Sequence, residues 1–213
     1  MAVSAANWNC VIVGRWNRGI LTPAGIAKRL FGLEEGTPIE INVPIDYLVP
    51  MRVKYSGISV VVDETRLIIE VEEKSFIQMK RALELAKKAI DSLPETPLAA
   101  VGINFRYTIS NPPEILLRRL QLALDEDISD CSYTITQKGA RRRLKFNDGH
   151  INMEILEGVD GNWDVVLNFE RVTERHNDIK SWLSLPIDCF KEEVQKIKEK
   201  ILHMESEDGS HDC

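Results

Sequence analysis

Apolar and polar residues alternate most regularly over 98–109. There Val101, Ile103, Phe105, Tyr107 and Ile109 point one way, and Gly102, Asn104, Arg106 and Thr108 the other. A period of two marks a half-buried β-strand. A shorter strand is expected over 7–14, around Cys10-Val11-Ile12-Val13, and another over 39–43. Between 51 and 71 the pattern is antiparallel. With Glu64-Thr65 as a two-residue loop, Val62 faces Leu67, Val60 faces Ile69 and Ile58 faces Val71, which puts all six side chains on one face.

Spacings of three and four residues predict the helices. Thr22-Pro23 opens one that runs to about 33 and buries Ile26, Leu30 and Phe31. Ser75 caps a long one carrying Phe76, Met79, Leu83, Ala86 and Ile90, ended by Pro94 and Pro97. Asn111-Pro112-Pro113 opens a third through 124, with Leu116, Leu120 and Ala123 on its stripe. Four strands in series follow, over 131–137, 141–146, 150–156 and 163–171. Asp148-Gly149 reads as a two-residue turn that sets Phe146 opposite Ile151, Leu144 opposite Met153 and Arg143 opposite Glu154. For the next turn, face consistency favours a three-residue loop, Val159-Asp160-Gly161 with a left-handed glycine, pairing Ile155 with Val165 and Met153 with Leu167. A polar connection over 173–180 leads to a last helix over 186–204, with Phe190, Val194, Ile197, Ile201 and Met204 as its stripe.

These elements make an α+β protein of antiparallel sheet with long amphipathic helices packed on one face. Two halves of similar layout are expected, 1–110 and 111–204, packed as one compact unit, with 205–213 a disordered acidic tail.

Composition adds mainly exclusions. The chain has 213 residues, 44% hydrophobic and 28% charged, enough for a substantial core, and its formal charge of −6 counts against general affinity for nucleic acid or anionic membranes. No apolar run reaches the roughly 18–20 residues that span a bilayer, and residues 1–6 lack a secretory signal, so a cytoplasmic protein with no membrane partner is expected. The cysteines at 10, 131, 189 and 213 form no Cys-x-x-Cys pair and read as reduced thiols, three packed and one in the tail.

The strand Val101-Gly102-Ile103-Asn104-Phe105-Arg106-Tyr107, the later strand Asp164-Val165-Val166-Leu167-Asn168-Phe169-Glu170 and a helix opening Ile187-Asp188-Cys189-Phe190-Lys191-Glu192 occur in that order. Their arrangement over about 50–203 resembles a sporadically distributed family of uncharacterised bacterial proteins. The resemblance implies a bacterial or phage-related accessory protein and transfers no activity or site residue.

No catalytic residue, metal site or cofactor is assigned. His150, His176, His203 and His211 lack ligand spacing, no Gly-x-Ser-x-Gly elbow is present, and Gly14-Arg15-Trp16-Asn17-Arg18-Gly19 lacks the Gly-Lys-Ser/Thr ending of a phosphate loop. Cys189 at a helix start is read as packed. Arg15, Trp16 and Arg18 form a candidate contact loop, since Trp and Arg are favoured interface anchors. Asn104, Arg106 and Thr108 form a candidate polar face, and that face is also where an enzyme with a composite site would build it. Arg141, Arg143 and Lys145 share one face of a strand and are the nucleic-acid candidates, against which Glu154, Asp164 and Glu170 stand as cross-strand neighbours. The leading expectation is a non-enzymatic interaction or assembly module, with a protein partner or a second copy of itself. Nucleic acid is the alternative partner.

Overall fold

The computed structural model describes residues 2–45, 50–158 and 160–204. The strands are β1 (Ala2–Gly14), β2 (Glu40–Asn42), β3 (Arg52–Tyr55), β4 (Ile58–Val62), β5 (Arg66–Val71), β6 (Leu98–Ser110), β7 (Gly139–Phe146), β8 (Gly149–Glu157) and β9 (Trp163–Val172). The helices are α1 (Pro23–Ile26), α2 (Phe76–Ser92), α3 (Glu114–Leu120), α4 (Ala123–Asp130), α5 (His176–Leu183) and α6 (Ile187–Lys196). Wider π-helical turns, Ala27–Phe31 and Ile197–Ile201, continue α1 and α6. The fold is mixed α+β, and its strands form a single antiparallel sheet in the order β2-β3-β4-β5-β1-β6-β9-β8-β7. No described helix is long and apolar enough to cross a membrane.

Two long strands of 13 residues each, β1 and β6, lie side by side at the centre. From Trp8 on β1 and from Val101 on β6 every second residue is sealed: Trp8, Cys10 and Ile12, and Val101, Ile103, Phe105, Tyr107 and Ile109. That alternation is the sequence pattern realised, because successive side chains of a strand leave opposite faces. On this apolar face α2 packs against β1 and β5, and α5 packs against α2 and β6. A chain of aromatic contacts runs through the core: Trp8 to Phe105 at 4.9 Å, Phe105 to Phe169 at 5.6 Å, Phe169 to Phe146 at 5.1 Å and Phe146 to Trp182 at 5.6 Å, all edge to face.

The β4–β5 hairpin has the expected register, Ile58 with Val71, Val60 with Ile69 and Val62 with Leu67. Its tight loop needs no glycine because Asp63 does the turning, its carboxylate accepting from the N–H groups of Thr65 and Arg66, each at 2.7 Å. Burial alone would raise the Asp63 pKa; those bonds, the Thr65 hydroxyl and the Arg66 charge together hold it below the usual value. Thr22 and Ser75 cap their helices as expected, accepting from Gly25 and Gln78. The β8–β9 register also matches, Ile155 with Val165 and Met153 with Leu167, and Gly161 is left-handed with φ 76°; Val159 of that loop lies outside the described residues.

Several expectations are corrected. The helix over 111–124 is two helices: Gln121 and Leu122 are extended, α4 restarts at Ala123, and Ala123 is exposed rather than on a buried stripe. The restart follows from Asp125 and Glu126, which sit favourably in a first helical turn, with Asp125 also paired to Lys138 at 3.1 Å. No strand forms over 131–137, where Tyr133 is exposed and the backbone has no regular partner; β-branched residues favour a strand only where there is a sheet to join. Cys131 is consequently exposed and Cys189 half-buried, leaving Cys10 as the buried thiol among the three described. The connection expected over 173–180 holds the first five residues of α5, whose Ile179, Trp182 and Leu183 are buried. Ile201 of the last helix is exposed, while Phe190, Val194, Ile197 and Met204 are buried as expected. The expected tail, 205–213, lies outside the described residues.

The β7–β8 hairpin is slipped by two residues from expectation. Phe146 lies opposite Gly149, Leu144 opposite Ile151, Arg143 opposite Asn152 and Arg141 opposite Glu154. The loop is Asn147-Asp148, with Asn147 in the left-handed region at φ 44°. Gly149 serves packing instead: a Cβ on it would collide with the Glu170 carbonyl and lie 2.8 Å from the Trp182 ring. A slip of two preserves the face of every residue, so the core assignment survives.

Candidate functional site

The other face of the sheet is polar. One row of directly opposed residues crosses all nine strands: Glu40, Lys54, Ser59, Glu70, Asn9, Asn104, Asn168, Asn152 and Arg143, in the order β2 to β7. Asparagine is disfavoured in strands, yet the four consecutive positions on β1, β6, β9 and β8 are all asparagine.

These amides are linked head to tail. Asn152 donates to Asn168 at 3.1 Å, Asn168 to Asn104 at 2.7 Å, Asn104 to Asn9 at 2.8 Å, Asn9 to Asn7 at 2.6 Å and Asn7 to Glu70 at 2.8 Å. The direction is forced from the Glu70 end. An ionised carboxylate only accepts, so Asn7 must present its N–H, its carbonyl is left to accept from Asn9, and each further amide is oriented in turn. Bonds aligned in this way polarise one another. Asn7 shares this face with Asn9 because the two are separated by one residue of β1, just beyond a β-bulge between Ala5 and Trp8. Gly102 makes room, since a Cβ there would stand 2.6 Å from the Asn168 amide nitrogen.

Ion pairs flank the amides. Arg52 pairs with Glu70 and donates to Ser59 at 3.1 Å. Lys54 lies 2.9 Å from Glu72 and 3.3 Å from Glu40, and those two carboxylates raise its pKa. On the far side Arg141 meets Glu154 at 2.8 Å and Arg143 meets Glu170 at 3.3 Å. His150 lies 3.3 Å from Arg143; partial desolvation first, then the charges of Arg143 and Lys145, hold its pKa below the ordinary value against the pull of Glu170.

The sequence candidates divide. Asn104, Arg106 and Thr108 do share the open face: Asn104 is at the centre of the row, Thr108 donates to Asp164 at 2.9 Å, and Arg106 is exposed with no ion pair among the described residues. Arg141, Arg143 and Lys145 share it too, on edge strand β7, but the two arginines are paired to carboxylates. In the Arg15–Arg18 loop the two arginines are exposed and Trp16 between them is not. Trp16 is only 4% exposed, and its indole N–H donates to the Ile12 carbonyl at 3.1 Å while its backbone N–H closes onto Glu64. An indole with such a partner inside the core is a structural plug, which leaves Arg15 and Arg18 as separate surface charges. Sequence reasoning missed Asn7, Asn9, Asn152, Asn168 and Glu70. The available signal was an asparagine in mid-strand between two core-facing residues.

The Cys10 thiol, sealed beneath the row on the apolar side, is pushed by burial up to about 12 and stays protonated. Among the described residues no three His, Cys, Asp or Glu side chains converge as a metal site. Recesses of about 240 Å³ beside Arg18, Leu21 and Met51, and of about 210 Å³ between α2 and the start of α6, include no residue of the row. Comparison with protein-family models, with curated proteins and with solved structures finds no match.

Proposed function

We propose that the protein is a non-enzymatic interaction and assembly module of the cytoplasm that docks a protein partner on the polar face of its sheet. The row of linked amides is the observation that carries this reading. Asn7, Asn9, Asn104 and Asn168 each use one N–H and one lone pair within the chain of bonds and keep others for whatever lies on the face. Repeated at the inter-strand spacing of about 4.8 Å, these make a rigid set of donors and acceptors. Val61, Ile68 and Val11, directly opposed in the adjacent row, add an apolar strip beside it. Arg106 supplies an exposed anchor at the centre. Pairing of Arg52, Lys54, Arg141 and Arg143 with carboxylates removes the excess positive charge on which phosphate binding depends, and this favours protein over nucleic acid.

The same face supports a reading of the chain as two similar halves with the helices on the opposite side. In each half a long strand is followed by a helical segment, a meander whose last strand pairs back onto the long strand, and a further helical segment. Lys54–Glu72 in one half has a counterpart in Arg143–Glu170 in the other. The approximate twofold relating them passes by Asn9 and Asn104, so the face suits a partner that is itself twofold or extended.

A photo-crosslinking amino acid at position 106, in cells that make the protein naturally, tests the reading, with position 88 on exposed α2 surface as control. The expected result is one protein adduct from position 106 that is absent from position 88. Absence of an adduct at 106 overturns the reading, and an adduct to nucleic acid replaces it with the alternative, the Arg141, Arg143 and Lys145 row with Arg106 beside it.

A further inference from the structure

The two ends of the sheet are built differently. At one end the outer edge of β7 spans eight residues and carries Arg141, Arg142, Arg143 and Lys145. Like charges along an edge are a common defence against pairing with another copy. At the other end β2 has only three ladder residues, and its outer edge pairs with no strand among the described residues. Its apolar side runs out of the core: Val53, directly across on β3, is 0% exposed, whereas Ile41 is 42%, Val43 72% and Ile45 99% exposed. One exposed isoleucine is ordinary, but Ile41 on an open strand edge, followed past the last ladder residue by exposed Val43 and Ile45, marks a contact surface.

The segment is Pro38-Ile39-Glu40-Ile41-Asn42-Val43-Pro44. We propose that β2 pairs antiparallel with β2 of a second copy, about a twofold axis through Ile41, joining the two sheets edge to edge. In that register Ile41 meets its own counterpart, Ile39 meets the counterpart of Val43, and Glu40 meets the counterpart of Asn42, an amide that can donate to a carboxylate. The prolines oppose each other at both ends and bound the paired segment, their φ fixed by the ring. Centring on Glu40 would set two carboxylates face to face, and centring on Asn42 would set Pro44 against Glu40. The sequence therefore selects one self-complementary register, as an isologous interface requires. Such an interface is small, and its dissociation constant falls in the range of about 10–100 μM. It does not rest on the polar face having a partner.

Sedimentation equilibrium of the full chain over a concentration series is the test. A monomer–dimer equilibrium is expected, abolished by Ile41→Lys with an unchanged circular dichroism spectrum. Asn42→Lys is expected to tighten the dimer about fivefold and Asn42→Asp to weaken it about fivefold, because each lies opposite Glu40 of the other copy. Within one chain Asn42 lies opposite Arg52, so an effect on the monomer alone would run the other way. A chain that stays monomeric up to about 0.5 mM, Asn42 variants that shift together, or species larger than a dimer (as β2 on β7 would build) each overturn the proposal. Arg106→Glu is expected to leave the dimer intact and Ile41→Lys to leave crosslinking at 106 intact, which separates this failure from that of the face.

Discussion

Asn104 and Asn168 show what a single backbone choice controls. The Asn168 amide reaches Asn104 over the bare Cα of Gly102, and a methyl group there would stand 2.6 Å from its nitrogen. Gly102→Ala is expected to displace that amide, break the two bonds it makes and destabilise the protein by about 1–3 kcal/mol, measured by urea denaturation. In an Asn168→Ala background the same substitution is expected to cost markedly less, since the group it collides with is gone; equal costs in both backgrounds would refute the role given to Gly102. Asn104 was legible in the sequence because its strand alternates without a fault. Its partners were not, because Asn9, Asn168 and Asn152 become its neighbours only through the strand order β1-β6-β9-β8, and alternation within a strand carries no information about which strand lies next to it.

Hairpins show the same limit at the level of elements. The β4–β5 register followed from face consistency alone, and the side chain of Asp63 supplied the turn. The β7–β8 turn misled because Asp-Gly is a strong turn dipeptide, whereas here the glycine is spent on contact with Trp182 from a helix that sequence patterning did not reveal. The two misreadings share a cause: α5 opens with His176-Asn177-Asp178 behind Glu174-Arg175, polar enough to pass for a loop, and its buried residues start only at Ile179. Gly149→Ala is therefore expected to cost about 3 kcal/mol or more, while Asn147→Gly, at the left-handed position, changes stability by only a few tenths of a kcal/mol. Thermal denaturation of the two variants checks this, and the reverse order would restore glycine to the turn.

At the scale of the whole molecule, β1 and β6 tie early and late parts of the chain into one sheet, with a continuous aromatic chain beneath it. The α+β class was legible because amphipathic helices and alternating strands each announce themselves; the single sheet was not, since nothing local says that strand 98–110 pairs with strand 2–14. All four tryptophans, Trp8, Trp16, Trp163 and Trp182, are buried and spread along this core. In optical terms the native protein is a molecule with its lamps behind shutters. Its emission is expected to be blue-shifted and almost untouched by iodide, an ion that quenches only indoles it can reach. Opening either flank of the sheet would uncover at least one indole, so iodide access reports the loosest part while far-UV circular dichroism reports the backbone as a whole. For a sheet that unfolds as one unit the two signals share a urea midpoint; iodide access that rises first would locate a flank that opens alone.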